Sequence, residues 1–258
     1  MSVVTSRFPR RGFSILELMV SLGVVAVLVS LILPVLIHAR ASGYRAVCAS
    51  NLRQMNVGWA SYLQDNKERF PQFGESPDWS YGGAEFVGPD ERPLLAADRP
   101  INRYLAENAD AGQNSELAAM FRCPSDTGIH RRGGRDTGQN AASVLGSETC
   151  FREFGTSYRA NGMLLNSTLA GLDGLNRPLF LSEVQVDSSR LLLTADAGWY
   201  YATRDDGNAE ATLEASWHGA ADSGNMLAAD GSTRFVAFAD WERLNVALDP
   251  RPGVEGRR

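Results

Sequence analysis

Two hydrophobic patterns follow one another near the start of the chain. From Phe13 to Ile37 the sequence FSILELMVSLGVVAVLVSLILPVLI is apolar on every side, interrupted only by Ser and Gly, with Glu17 as its single charge. About 20 such residues suffice for a helix to cross a bilayer, so this run predicts a membrane-spanning helix. After it, Tyr44, Val47, Cys48, Leu52, Met55, Trp59, Tyr62 and Leu63 recur at three- and four-residue spacings. That is the stripe of a helix with one buried face. The helix is expected to run on to about Asn66, with Arg45, Asn51, Arg53, Gln54 and Gln64 turned to solvent or to neighbouring subunits. Pro71 stops the pattern, because the residue before a proline is pushed out of helical angles.

Further along, the period shortens. Residues 71–100 are rich in Gly, Pro and aromatics and read as irregular, with a short helix expected over Ile101–Asn108. Arg131–Gly146 reads as a loop. Leu179–Val186, Arg190–Ala195, Asn225–Ala229 and Thr233–Phe238 are strand-like, and Asp230-Gly231 between the last two signals a two-residue hairpin. The tail beyond Trp241 carries no pattern of a packed element. The sum is an α+β fold in which a long N-terminal helix packs on a C-terminal antiparallel sheet.

Charge adds orientation. Arg7, Arg10 and Arg11 precede the apolar run without any acid, and basic residues flanking a first span stay cytoplasmic. The remainder is then expected in the periplasm, on the far side of an inner membrane. A net charge of −5 over 258 residues argues against a surface built to bind nucleic acid. Cys48, Cys123 and Cys150 are too few for a disulfide scaffold, and none forms the C-x-x-C pair usual in structural zinc sites.

A carboxylate inside a span needs a reason, since translocon scales assign about 2.5–3.5 kcal/mol to one at mid-membrane. Arg10-Arg11-Gly12-Phe13-Ser14-Ile15-Leu16-Glu17 resembles the cleavage and methylation signature of the type IV pilin and type II secretion pseudopilin family: basic leader, Gly, Phe, and Glu five positions after the cut. The resemblance implies that a prepilin peptidase cuts between Gly12 and Phe13, that the new amine of Phe13 is methylated, and that Glu17 serves assembly with other pilin or pseudopilin subunits on an inner-membrane platform. Physically, a cationic amine at Phe13 and the Glu17 carboxylate complement one another where solvation is poor. On this reading residues 1–12 are leader, 13–37 the transmembrane half of the first helix, 38–66 its soluble half, and 67–258 the pilin-like head. A plain signal anchor, a signal peptide cut after Ala39-Arg40-Ala41, and a buried helix of a soluble domain are the competing accounts. None of them explains the Gly-Phe-x-x-x-Glu spacing.

A second resemblance lies in the head. Cys123-Pro124-Ser125-Asp126, Tyr158 with Asn161-Gly162, and His218 followed by Asn225 and Asp230-Gly231 are similar to landmarks of a group of bacterial pseudopilin-like proteins with a C-terminal His…Asp-Gly motif. His218 together with Asp196, Asp222 or Asp230 offers the residue types of a metal site or an acid–base pair. Asp230 is better explained by its turn, and His218, beside Trp217 and Gly219, by a loop or packing role with hydrogen bonds to backbone. Calcium is conceivable at Asp205-Asp206-Gly207-Asn208 or Asp222, although neither fits a twelve-residue calcium loop; no cofactor is expected. Cys123 and Cys150 are a candidate disulfide in an exported head, and Cys48 a buried thiol. A structural subunit without enzymatic activity is the leading reading. A membrane-anchored exported hydrolase using His218 and nearby acids, and a minor tip subunit or adhesin, are the alternatives.

Overall fold

The structure is a computed structural model, and the residues described are 14–73, 77–87, 93–106, 116–131, 149–165, 179–203, 213–215, 217–218 and 222–238. The chain divides into two compact units, one ending at Ala41 and one beginning at Ser42. Helix α1, Ile15–Asp65, runs unbroken through both, and Pro34 lies within it. Its end is one residue short of the expected Asn66. Lys67 and Glu68 take positive φ there, which turns the chain out of the helix.

In the first unit α1 carries apolar residues on all sides and exposes them: Ile15, Leu22, Val25, Leu31 and Ile37 are each more than half exposed. In the second unit the same helix behaves as an amphipathic one. Cys48, Asn51, Leu52, Met55, Gly58 and Trp59 are buried, an i, i+3, i+4, i+7 succession that defines one face. Tyr62 and Leu63 pack at the margin of the core. Val47, expected on this face, is 47 % exposed.

Asn51 and Arg45 depart from the expected solvent face. Asn51 is buried because its amide finds partners there, donating to the Arg122 carbonyl at 3.2 Å and the Tyr158 hydroxyl at 3.0 Å. Arg45 is half-buried, donates to the carbonyl of His218 at 2.8 Å and lies over the Phe235 ring. The buried arc of the helix is thus wider than its apolar stripe, the excess being filled by polar groups with partners.

Between the helix and the sheet the chain makes short elements: α2 (Pro77–Ser80), β1 (Phe86–Val87), β2 (Pro93–Leu94), α3 (Glu116–Met120), β3 (His130–Arg131), α4 (Cys150–Phe154), β4 (Tyr158–Ala160) and α5 (Gly162–Leu165). Two 3-10 turns, Ala96–Asp98 and Asn102–Tyr104, fall in the same stretch, the second where a short helix was expected. Arg99 is buried there, its guanidinium donating to the carbonyls of Gly82 and Phe154. Burial lowers its pKa to about 9.

The remaining elements are β5 (Leu192–Asp196), α6 (Gly198–Ala202), β6 (Leu213–Glu214), β7 (Ser223–Ala228) and β8 (Thr233–Ala237). Strands β4, β5, β7 and β8 form one antiparallel sheet in that order. Every residue of β5 and β7 is buried, so both faces of the sheet are covered. One face meets α1 in the main core, where Leu193 and Leu227 join Leu52, Met55 and Trp59. On the other, Leu192, Met226, Val236 and Phe238 gather around Trp199. Trp59 ties helix to sheet through an indole hydrogen bond to Thr194 at 3.2 Å, and it stacks on Tyr81.

Two strand expectations need correction. Over Leu179–Val186 the chain makes a single bridge, Phe180 to Arg69, and then a 3-10 turn, Leu181–Glu183. Glu183 accepts from the Phe180 amide at 2.9 Å, a local bond that tightens the segment into a turn instead of leaving it extended. The β7–β8 hairpin is present, but its loop is not a two-residue turn. Gly231, at φ +87°, donates to the Ala228 carbonyl, and Ala228 in turn donates to the Ser232 carbonyl, which closes a three-residue loop with glycine in the left-handed position. The sheet edge expected from Asn225–Ala229 and Thr233–Phe238 otherwise stands, as does β5 within one or two residues of Arg190–Ala195.

Candidate functional site

Helix α1 begins with a local device. Ser14 accepts from the Leu16 amide through Oγ, at 3.2 Å, while its own amide donates to Glu17 Oε2 at 3.0 Å. This is a capping arrangement: serine and a glutamate three positions later satisfy amides that a helix start leaves unpaired. The Ser-x-x-Glu spacing that signals it is legible in the sequence, but there it is overshadowed by the intramembrane charge. Glu17 is therefore both an N-terminal cap and the carboxylate of the apolar segment. Ser21 and Ser30 turn their hydroxyls onto the carbonyls of Leu18 and Val27, so the segment shows few unpaired polar groups to its surroundings. The helix is long and apolar enough to cross a membrane. Gly12 and Phe13, the expected cleavage and methylation positions, lie outside the described residues.

Residues 7–33 match the family described as the prokaryotic N-terminal methylation motif. The match begins in the basic leader and ends inside the apolar helix, spanning the Gly-Phe-x-x-x-Glu sequence. This motif, with the long apolar helix that follows it, supports a type IV pilin or pseudopilin-like protein. No curated protein and no solved structure matches the chain. The pilin-like assignment accordingly rests on this N-terminal motif, with an α+β architecture in which a long first helix meets a four-stranded antiparallel sheet.

The head of this pilin-like protein contains a second candidate site, built from four distant positions. Cys48 comes from α1, Cys123 from the turn after α3, Asp196 from the last residue of β5 and His218 from the segment before β7. All four are buried, and their sulfur, nitrogen and carboxylate oxygen atoms lie within 4.8 Å of one another. His218 Nε2 is 3.0 Å from Asp196 Oδ2 and 3.7 Å from Cys123 Sγ.

Each member is held by its neighbours. Asp196 Oδ2 also accepts from the backbone amide of Asn225 at 2.5 Å and from its side-chain amide at 3.2 Å. Gly224 gives the carboxylate its space: a Cβ there would stand 2.8 Å from both Asp196 Cβ and Oδ2. Cys123 is fixed by its own amide, which donates to Ser157 Oγ at 3.0 Å, while the serine hydroxyl donates to Asp126 at 2.6 Å. Asp126 also accepts from the amides of Gly128, Cys150 and Phe151. The Cys-Pro-Ser-Asp sequence is thus a clamp that joins the Cys123 turn to the start of α4. Arg45 holds the carbonyl of His218, Trp217 donates to the Gly128 carbonyl at 2.9 Å, and the imidazole meets the Phe235 ring edge-to-face.

The enclosure perturbs the titrating groups. Burial acts to lower the His218 pKa, but hydrogen bonds to Asp196 and Cys48 outweigh it and the imidazole is pushed up to about 9. The Cys48 thiol is lowered to about 7, chiefly by its hydrogen bond with Cys123. Burial, and then Cys48 itself, push Cys123 well up. Inside the cluster, two buried atoms have no hydrogen-bond partner among the described residues: Asp196 Oδ1 and His218 Nδ1.

The expected pairings sort out unevenly. Asp196 is the acid beside His218, whereas Asp230 sits in the hairpin loop, where its carboxylate accepts from the Ser232 amide at 2.8 Å. Asp222 adopts φ +47° in the turn before β7, and residues 205–208 lie outside the described set. Cys123 and Cys150 are not joined: all three cysteines are free thiols. The geometric reason is that Cys123 faces Cys48 across the core, while Cys150 begins α4 under the Asp126 clamp. Cys48 was legible as a buried thiol, but its convergence with Cys123 was not, because the two stand 75 positions apart in the chain.

Proposed function

We propose that this protein is a structural subunit of a type II secretion or type IV pilus-like assembly. A prepilin peptidase would process it between Gly12 and Phe13, and it would polymerise through α1 in the company of other pilin or pseudopilin subunits. The observation that carries this reading is the coincidence of the methylation motif at residues 7–33 with a helix whose upper half exposes apolar residues on every side. Such a surface needs lipid before assembly and other helices after it. The basic residues ahead of the apolar run support a cytoplasmic N-terminus and a head across the inner membrane. Glu17 then has two partners in succession: the Ser14 amide in the lone subunit, and the methylated amine of a neighbour's Phe13 in the polymer.

The reading that the protein is not an enzyme is supported by the state of the His218–Asp196 pair. The side chains are 0 % and 2 % exposed, which supports a packed pair over one open to substrate. A hydrolytic site needs an open position for water and substrate, and this one is enclosed.

Co-expression with active or inactivated prepilin peptidase tests the proposal. Intact-mass and N-terminal analysis should give a chain starting at methylated Phe13 only with the active enzyme. An identical product starting at Met1 in both cases would overturn it. Glu17→Gln sharpens the assembly step, since glutamine preserves the capping hydrogen bond but removes the charge. Cleavage should proceed as in the parent, while incorporation into filaments or cross-linked oligomers falls sharply. Parental incorporation of that variant would remove the charge-pair mechanism.

A further inference from the structure

We propose that Cys48, Cys123, Asp196 and His218 form a structural binding site for a thiophilic divalent cation of zinc's class, which locks the soluble half of α1 to the sheet of the head. The donor set is two sulfurs, one imidazole and one carboxylate, a mixture that suits zinc. Four-coordinate zinc with bonds of about 2.0–2.3 Å requires its ligand atoms to stand roughly 3.3–3.8 Å apart. The His218 Nε2 separation of 3.7 Å to Cys123 Sγ falls within that span, that of 3.0 Å to Asp196 Oδ2 lies just below it, and all four ligand atoms fall within 4.8 Å of one another. Small side-chain movements bring them onto one centre.

The surroundings fit a structural site better than a catalytic one. All four positions are protein-supplied and buried, which leaves no open coordination position. A second layer orients the ligands: Asn225 on Asp196, Ser157 on the Cys123 backbone, Arg45 on the His218 carbonyl. Without a cation the cluster is poorly satisfied, since Asp196 Oδ1 has no partner and the two thiols have only weak hydrogen bonds to offer. On binding, each thiol loses its proton to solvent, and imidazole Nε2 gives up the proton it shares with Asp196. No oxidant or reductant is involved.

The position of the ligands gives the site its consequence. Cys48 belongs to α1 and the other three to the head's turns and sheet, so one ion would tie elements 75 to 170 positions apart. That is a cross-link resembling a disulfide in effect, made between the helix that assembles and the head it carries.

The test uses the full chain, extracted in detergent, stripped with a chelator under reducing conditions and titrated with Co(II). Saturation at one ion per chain is expected, with a near-ultraviolet thiolate-to-cobalt charge-transfer band and the intense visible bands of tetrahedral Co(II), all bleached by Zn(II). Cys48→Ser should weaken the charge-transfer band about twofold and lower affinity by at least the roughly 10–100-fold typical of losing an outer partner. Cys150→Ser, outside the cluster, should leave stoichiometry and spectrum unchanged. X-ray absorption of the zinc-loaded parent gives a readout that needs no variant: two sulfurs at about 2.3 Å and two lighter ligands at about 2.0–2.2 Å. Absence of saturable binding by a folded chain with reduced thiols would overturn the proposal. So would a zinc shell without sulfur, or a Cys48–Cys123 disulfide in the metal-free protein as isolated.

Discussion

The two halves of α1 are one helix by backbone and two helices by environment. Leu28 and Leu33, in the upper half, are 51 % and 55 % exposed, whereas Leu52, in the lower half, is 0 % exposed. Nothing in the helical geometry distinguishes them. The difference lies in what surrounds the stripe: apolar residues all round in the first case, alternating apolar and polar arcs in the second. A helix apolar on all sides has its partners outside the chain, and a striped helix has them inside. Stability of the head and retention in the membrane should therefore respond to separate sets of substitutions.

The largest effect should come from the lower half. Trp59→Ala removes the stack on Tyr81, the hydrogen bond to Thr194 and a large buried side chain, and should lower head stability by about 3–5 kcal/mol. Chemical denaturation of the detergent-extracted chain measures this, and membrane retention should be unaltered. Leu28→Arg does the reverse: about 2.5–3.5 kcal/mol against insertion, seen as increased release on alkaline extraction, with an unchanged unfolding midpoint for the head. A midpoint that moved with Leu28→Arg would break the separation.

Smaller substitutions refine the boundary of the buried arc. Asn51→Ala strands the Tyr158 hydroxyl and the Arg122 carbonyl, and about 1–3 kcal/mol of stability should be lost, read from the same denaturation curves. A neutral result would return Asn51 to the solvent face that the sequence pattern assigned it. Val57→Ala, on the exposed side of the same helical turns, should stay within about 0.5 kcal/mol of the parent. A loss comparable to that at Asn51 would mean that the lower half also has its partners outside the chain.

Much of this was legible in the order of residues. The apolar run, the basic leader and the Gly-Phe-x-x-x-Glu spacing are local, and local patterns carry membrane insertion, processing signals and helix starts directly. The stripe from Cys48 to Leu63 and the hairpin around Gly231 are local too, which explains why α1 and β7–β8 were anticipated nearly to their ends. Leu179–Val186 was misread because a run of apolar residues does not reveal that Glu183 will fold back on the Phe180 amide. Asn51 was misplaced for a related reason: its partners are 71 and 107 positions away.

Sequence by itself determined the membrane-competent helix, the pilin-like start and the antiparallel hairpin, since each depends on residues within a few positions of one another. Tertiary structure alone decided that Cys48 faces Cys123 rather than Cys150 remaining Cys123's partner, and that Asp196, among three nearby acids, is the one held against His218. Those relations arise where a helix, a turn, a strand end and a loop meet in a desolvated core. Their chemistry is a property of the meeting place, and no spacing along the chain encodes it.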